Sequence, residues 1–358
     1  MKGKHIGLRK RLGLKLFKGL YDQAIAKHEL RTLFWECTLR CNLSCRHCGS
    51  DCRVDVEEPD MPLADFLKVL DEEITPHVDP SRVLIIFSGG EVLVRRDLEQ
   101  AGLEVTRRGY MWGMVTNGMA LTRERLRSLV DAGLRSISVS FDGFEDAHNH
   151  IRRNPYSFTR ALEALHNIRA YKHLSYDAIT CVTPAMMGRL EEFKEFLIAE
   201  GIEHWRIFSI FPAVRAAQDD TLHINEQQYR ELMEFIRKTR KEGRIDLSYA
   251  CEGFLGGYEA EVRDHFYMCN AGISVASIRV NGDISGCTSV RANYTQGNIY
   301  RDKFWDVWQN RFTPFRDREW TKSDECKECK VWEFCRGGGM HLRDNDGKLM
   351  YCHYRQLK

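Results

Sequence analysis

The chain is poor in the features that interrupt a fold or anchor it from outside. Only 8 of its 358 residues are proline, and no stretch is repetitive or of low complexity, so neither a linker array nor a solenoid is expected. Strongly apolar runs are short: "VLIIF", residues 83 to 87, is far below the length that spans a bilayer. No secretory leader is read at the start, which argues against a disulfide framework. Acid is missing from the first 21 residues, which carry Lys2, Lys4, Arg9, Lys10, Arg11, Lys15 and Lys18. Setting those seven charges aside turns the net +2 into −5 for the rest.

What is present describes a folded globular chain, 43% hydrophobic and 29% charged, long enough for one large barrel or two domains. In the basic segment, Arg11, Lys15 and Lys18 share a helical face while Leu8, Leu12, Leu16 and Leu20 recur at i+4 on a neighbouring one. Residues 1–30 are expected to form a basic N-terminal helix that docks on the body, weakened by Gly7, Gly13 and Gly19. The alternative is peripheral contact with an anionic membrane surface. No second basic patch interleaved with aromatics appears, so no nucleic-acid partner is expected.

From residue 31 to 245, six short apolar runs alternate with helix-period segments. The runs are "TLFWEC", "RVLIIF", "MWGMV", "RSISVSF", "DAITCV" and "HWRIFSI". Strand and helix repeated six times predict an α/β fold, a partial (β/α)6 barrel related to the TIM barrel but too short to close. The chemistry is then expected just after each strand, where loops and helix N-termini converge. Past residue 245 the pattern changes. "VASIRVNGDISGCTS" reads as a hairpin turning at Asn281-Gly282-Asp283, and a small cysteine-rich domain is expected over residues 251–358.

Thirteen cysteines in a chain expected to be cytoplasmic point to metal rather than disulfides. Five of them fall in "ECTLRCNLSCRHCGSDC", residues 36 to 52. Among these, only Cys41, Cys45 and Cys48 give Cys-x3-Cys-x2-Cys. Three thiolates on a loop can hold three irons of a four-iron cluster and leave the fourth open, whereas a structural zinc site uses four ligands. Cys37, Cys52 and Cys181 are expected to pack without ligating.

This spacing, with aromatic His47 before the third cysteine, resembles the signature of the radical S-adenosylmethionine (radical SAM) superfamily. Ser88-Gly89-Gly90-Glu91 ends the second predicted strand and resembles the Gly-Gly-Glu motif that contacts the SAM amino group. The glycines would admit backbone close to the ligand, and Glu91 would pair with its ammonium. By the same resemblance Asn117 at the end of strand three, and Ser140 and Asp142 in "SVSFDG", are expected near SAM. Arg152 in "HNHIRR" is expected to pair with its carboxylate. A plain turn at Asp142-Gly143 and a surface ion pair at Arg152 remain open as alternatives.

Farther on, Cys269-x12-Gly282-x4-Cys287, then Cys326-x2-Cys329-x5-Cys335, then Cys352 resemble the SPASM domain, whose full pattern of seven cysteines holds up to two auxiliary four-iron clusters. The resemblance gives Cys326, Cys329, Cys335 and Cys352 to a complete outer cluster. The inner one keeps Cys269 and Cys287, with Cys251 as a third candidate, and lacks the cysteine expected where Gly339 stands. A zinc ribbon would suit the outer spacing equally well.

The resemblance implies an enzyme in which the first cluster and SAM, supplied with an electron by a low-potential flavodoxin or ferredoxin, yield a 5′-deoxyadenosyl radical that abstracts a substrate hydrogen. It implies a peptide or protein substrate, and the whole pattern is similar to the subgroup paired with small lipoproteins in Bacteroidetes. Thr288 follows Cys287 where sulfatase-maturing relatives carry an aspartate, which disfavours sulfatase maturation. A tetrapyrrole or other small-molecule substrate is the alternative, and a non-catalytic zinc-bound module is a distant one.

Overall fold

The computed structural model describes residues 4–250 and 252–358, so Cys251 lies outside the described residues. All six predicted runs are strands: β1 (Thr32–Thr38), β2 (Leu84–Gly89), β3 (Met111–Thr116), β4 (Leu134–Ser140), β5 (Ser175–Val182) and β6 (His204–Ser209). They pair in chain order and in parallel. Crossover helices cover one face: α2 (Leu63–Val69), α3 (Leu98–Arg107), α4 (Arg123–Asp131), α5 (Glu145–Arg152), α6 (Ser157–Ile168), the single turn α7 (Pro184–Met187), α8 (Leu190–Ala199) and α9 (Glu226–Glu242).

Local chemistry sets the ends of these helices. Asn225 and Gln228 cap the start of α9 reciprocally, and Gly243 closes it in the left-handed conformation at φ 67°. Aromatic packing then ties the strands to the helical layer. Trp35 stacks on Phe66 of α2 at 4.2 Å, Phe87 meets its edge at 5.1 Å, and Trp112 stacks on Phe87 at 4.9 Å.

The sheet does not stop at six strands. β7 (Asp246–Tyr249) adds in parallel beside β6, just past the expected end of the barrel at 245. Its four residues "DLSY" bury Leu247 and Tyr249 and leave Asp246 exposed and Ser248 half-buried, a run too short and polar to stand out beside the others. The expected hairpin forms as β8 (Val275–Ile278) and β9 (Asp283–Ser285), with Gly282 at φ 86° and β10 (Gly297–Asn298) outside it. β8 lies parallel to β1, so the cysteine-rich segment extends the barrel sheet rather than forming a separate layer. The order is β10-β9-β8-β1-β2-β3-β4-β5-β6-β7, an open ten-stranded sheet.

The N-terminal segment forms helix α1 (Leu8–Lys27), but it docks through a different face from the leucine row. Leu14 and Tyr21 are its buried residues, Leu14 set against Phe254, Tyr267, Val331 and Phe334 and Tyr21 under the Arg336 guanidinium at 4.3 Å, while Leu8, Leu12, Leu16 and Leu20 stand exposed. Lys4 and Lys10 reach Glu261, and Arg336 reaches Asp22. Among the described residues no helix is long and apolar enough to cross a membrane.

Candidate functional site

The loop after β1 carries Cys41, Cys45 and Cys48 to the carboxyl end of the sheet. Backbone bonds fix it there: Cys41 N donates to Arg53 O (2.8 Å), Arg46 N to Ile151 O (2.9 Å) and Glu91 N to Arg40 O (2.9 Å). The glycines of the Gly-Gly-Glu turn serve this contact. A Cβ at Gly89, where φ is 132°, would sit 2.0 Å from Thr38 O, and one at Gly90 would sit 2.2 Å from Arg40 O. Both glycines thus lie tight against backbone, Gly89 against Thr38 at the end of β1 and Gly90 against Arg40 at the start of the cysteine loop.

Glu91 is fully buried and held by the protein. Its carboxylate accepts from Leu93 N (3.1 Å), Thr116 Oγ1 (2.7 Å) and Asn117 N (2.7 Å), so it bolts β2 to β3. Three acceptor positions are filled, which leaves room for one further donor. Burial lifts its pKa despite these bonds. Asn117 continues the chain of contacts: its Nδ2 donates to Asn42 Oδ1 (2.7 Å) and approaches Cys41 Sγ (3.9 Å).

Asp142 and Arg152 meet each other. Arg152 Nε donates to Asp142 Oδ2 (2.6 Å), and its Nη1 approaches Cys45 Sγ (3.7 Å). The other Asp142 oxygen accepts from Cys181 N (3.0 Å), and Asp142 N donates to His148 Nδ1 (2.9 Å). Burial is the largest single influence and would raise the Asp142 carboxyl, but the Arg152 guanidinium together with the His47 and His148 rings outweighs it and holds the group well below the usual carboxylate range. The surface ion pair and the plain turn are therefore both replaced by a buried charge pair. Ser140 ends β4 beside it, its hydroxyl without a partner among the described residues.

His47 is half-buried, its Nδ1 is buried without a partner, and desolvation lowers its pKa to about 4, so the ring is neutral at pH 7. Ligand atoms of His47, Asp142 and Cys181 lie within 4.8 Å of one another. Arg152 already occupies Asp142, which makes this a polar pocket rather than a cation site. Cys181, expected in the core, lines a cavity of about 350 Å³ with His47, Gly89, Ser209, Glu252 and Arg291. Its β5 position faces the open end of the sheet, where period-2 alternation cannot separate core from cavity.

The thiols differ in their electrostatic surroundings. Hydrogen bonding from Cys52 pulls Cys48 down to about 5 against the effect of burial, while burial pushes Cys41 up to about 12. Cys52 is buried, and its thiol donates to Ser50 O (3.7 Å). Two groups that spacing does not reveal complete the surroundings. Arg215, in the loop after β6, donates to Asp51 Oδ1 (2.8 Å) and Cys45 O (2.8 Å), and Arg291 pairs with Glu36 (2.7 Å). A thiolate cluster held by this loop would carry negative charge, and Arg152 and Arg215, each paired with a carboxylate, would place their guanidiniums beside it.

In the C-terminal part, Cys326, Cys329, Cys335 and Cys352 all line one cavity of about 760 Å³ together with Phe254 and Tyr354. Burial raises the Cys335 thiol, and the other three cysteines add to the effect by proximity. Four thiols on one cavity are the donor set that an iron-sulfur cluster requires, and the residues fit the group. Burial also raises Cys287, with Cys269 close enough to contribute. At Gly339 a Cβ would meet His341 Cε1 at 2.5 Å, so the imidazole fills the space a cysteine side chain would enter.

Comparison with known proteins defines the class. Residues 35–197 match the radical SAM superfamily, and residues 269–330 match an iron-sulfur cluster-binding domain, SPASM. The AdoMet-dependent heme synthase of Methanosarcina barkeri is 25% identical over 350 residues, covering 92% of this chain and 97% of that one. The mycofactocin maturase MftC of Mycolicibacterium smegmatis is 28% identical over 320 residues, 86% of this chain and 77% of that one. Among solved structures, anSMEcpe with bound AdoMet and Cp18Cys peptide superposes with a TM-score of 0.71 at 17% identity, over 92% of this chain and 94% of that one. Streptococcus suis SuiB bound to precursor peptide SuiA gives a TM-score of 0.70 at 15% identity, over 93% and 78%.

The chain belongs to the radical SAM superfamily. Within it, this protein is an enzyme with a C-terminal SPASM domain, whose cofactors are a four-iron cluster bound with SAM and auxiliary iron-sulfur clusters.

Proposed function

We propose that the protein modifies a peptide or protein by hydrogen abstraction. In this reading residues 31–245 form the SAM unit and residues 251–358 the auxiliary unit. Cys41, Cys45 and Cys48 hold the SAM cluster. His47, Gly89, Gly90, Glu91, Asn117, Ser140, Asp142 and Arg152 surround SAM. Cys326, Cys329, Cys335 and Cys352 hold the outer cluster, and Cys269 and Cys287 take part in an inner one. When bound, the cluster and SAM supply one-electron chemistry strong enough to take hydrogen from an unactivated carbon. The protein's residues fix charge and exclude water: Arg152 and Arg215 place their guanidiniums beside the thiolates, and His47 stays neutral beside them.

The observation that carries the substrate class is the cavity of about 350 Å³ at the mouth of the cysteine loop. It lies at the low end of small-molecule sites and bears the buried carboxylate of Glu252, which accepts from Ser209 N (3.0 Å) and Ser209 Oγ (2.8 Å). A small cavity whose charged lining is one acid, Glu252, and one arginine, Arg291, already paired with Glu36, favours a side chain presented by a peptide over a carboxylate-rich macrocycle. The names of the maturase relative and of the two peptide-bound structures agree with this.

The heme synthase relative supports a tetrapyrrole as the second reading. Oxygen-free reconstitution with iron, sulfide and a low-potential flavodoxin or ferredoxin separates them. A peptide whose mass changes as 5′-deoxyadenosine accumulates supports the proposal. Turnover of an iron coproporphyrin, with no peptide accepted, overturns it.

A further inference from the structure

Helix α1 has two apolar faces, and the fold uses one. Leu14 and Tyr21 are buried against the C-terminal domain, and Phe17 meets Phe266 at 5.6 Å. On the opposite side Leu8, Leu12, Leu16 and Leu20 form a continuous row over four turns, 85%, 60%, 70% and 60% exposed. Leaving such a row in water is costly in a soluble helix, where a solvent-facing stripe is normally polar.

The row is bordered by one sign of charge. Arg9 lies along one edge, and Arg11 and Lys15 lie along the other, each exposed and without an ion-pair partner among the described residues. The first acid in the chain is Asp22, which neutralises Lys18 at 3.1 Å and pairs with Arg336. A second copy of the chain seated on the same face would set these cations against their own kind. An acidic, lipid-rich surface matches both the leucines and the charges.

We propose that the outer face of α1 lies in the interfacial layer of an anionic membrane, leucines in the acyl boundary and Arg9, Arg11 and Lys15 at the headgroups. The inner face stays on the auxiliary domain, so the four-cysteine cavity lies on the membrane side of the molecule. This does not depend on the substrate class.

The test is flotation of the reconstituted holoprotein with vesicles of equal parts phosphatidylglycerol and phosphatidylcholine, beside vesicles of phosphatidylcholine alone. Binding is expected only to the anionic vesicles. The pair Leu12→Glu and Leu16→Glu should lower the partition coefficient by at least about tenfold. The triple change Arg9→Gln, Arg11→Gln and Lys15→Gln should lower it by about a hundredfold. Iron content and SAM cleavage in solution should be unchanged in both, because none of these residues touches the body.

Failure of the holoprotein to float with anionic vesicles overturns the proposal. So does binding that survives the leucine changes, which would mean adsorption by charge alone. A lipid-free dimer that the leucine changes dissociate would assign the face to self-association and overturn it as well.

Discussion

Arg152 stands between a carboxylate and a thiol, 2.6 Å from Asp142 Oδ2 and 3.7 Å from Cys45 Sγ. Removing one partner of a buried pair strands the other, so Arg152→Met should destabilise the fold by roughly 3–5 kcal/mol. Replacing both, as Asp142→Asn with Arg152→Met, should cost less than the single change. Urea unfolding of the three proteins checks this. Neighbouring His148 makes stability depend on acidity: burial lowers it from 6.5 to about 4. The unfolded chain therefore takes up a proton first as pH falls, and up to about 3 kcal/mol of stability present above pH 6.5 is lost by pH 4. His148→Gln should flatten that loss in unfolding curves recorded across the range.

Little of this residue-scale wiring is legible in sequence. The Cys-x3-Cys-x2-Cys spacing reveals the ligands because they must share one loop. Arg215 and Arg291 come from loops more than 160 and 240 residues away from their partners, and no local pattern marks them. His148 was in plain view in "HNHIRR", yet its role depends on Asp142 N turning toward its ring. The glycines at 89 and 90 were legible as necessary, while the backbone they accommodate was not.

At the scale of elements, alternation and apolar runs specify β1 to β6, because a strand that buries one face against the helices needs apolar residues at alternate positions. β7 escapes because it is short and half polar. The direction of α1 was readable and its docking face was not, since leucines mark an apolar stripe without saying whether protein or something else covers it. Helix α3 shows how tightly elements fit. A Cβ on Gly102 would lie 2.3 Å from Trp112 Cζ2, in the buried ring of β3. Gly102→Ala should therefore lower stability by about 1–3 kcal/mol from overpacking, against a gain of ~1 kcal/mol in helix propensity. A lowered Tm would show the first effect to be the larger.

For the whole molecule, iron is the readout. Cys326→Ala with Cys352→Ala should remove about four irons per chain and leave SAM cleavage measurable, whereas Cys45→Ala should abolish cleavage and spare the outer site. Iron and sulfide analysis, with 5′-deoxyadenosine formation alongside, checks both. Zinc in place of iron in the wild type would contradict the assignment of the cysteines.

The parallel seam between β1 and β8 also shapes how the chain is made. One flank of β1 closes early on β2, but its other flank waits for residues 275 to 278. About 240 residues must leave the ribosome first, which at roughly 5–20 residues per second means on the order of ten to fifty seconds of synthesis. Throughout that interval the nascent barrel presents an unpaired strand bearing Leu33 and Trp35, open to neighbouring chains on the polysome. A gene cut before residue 275 would leave that flank open permanently, so its product should aggregate where the intact chain folds.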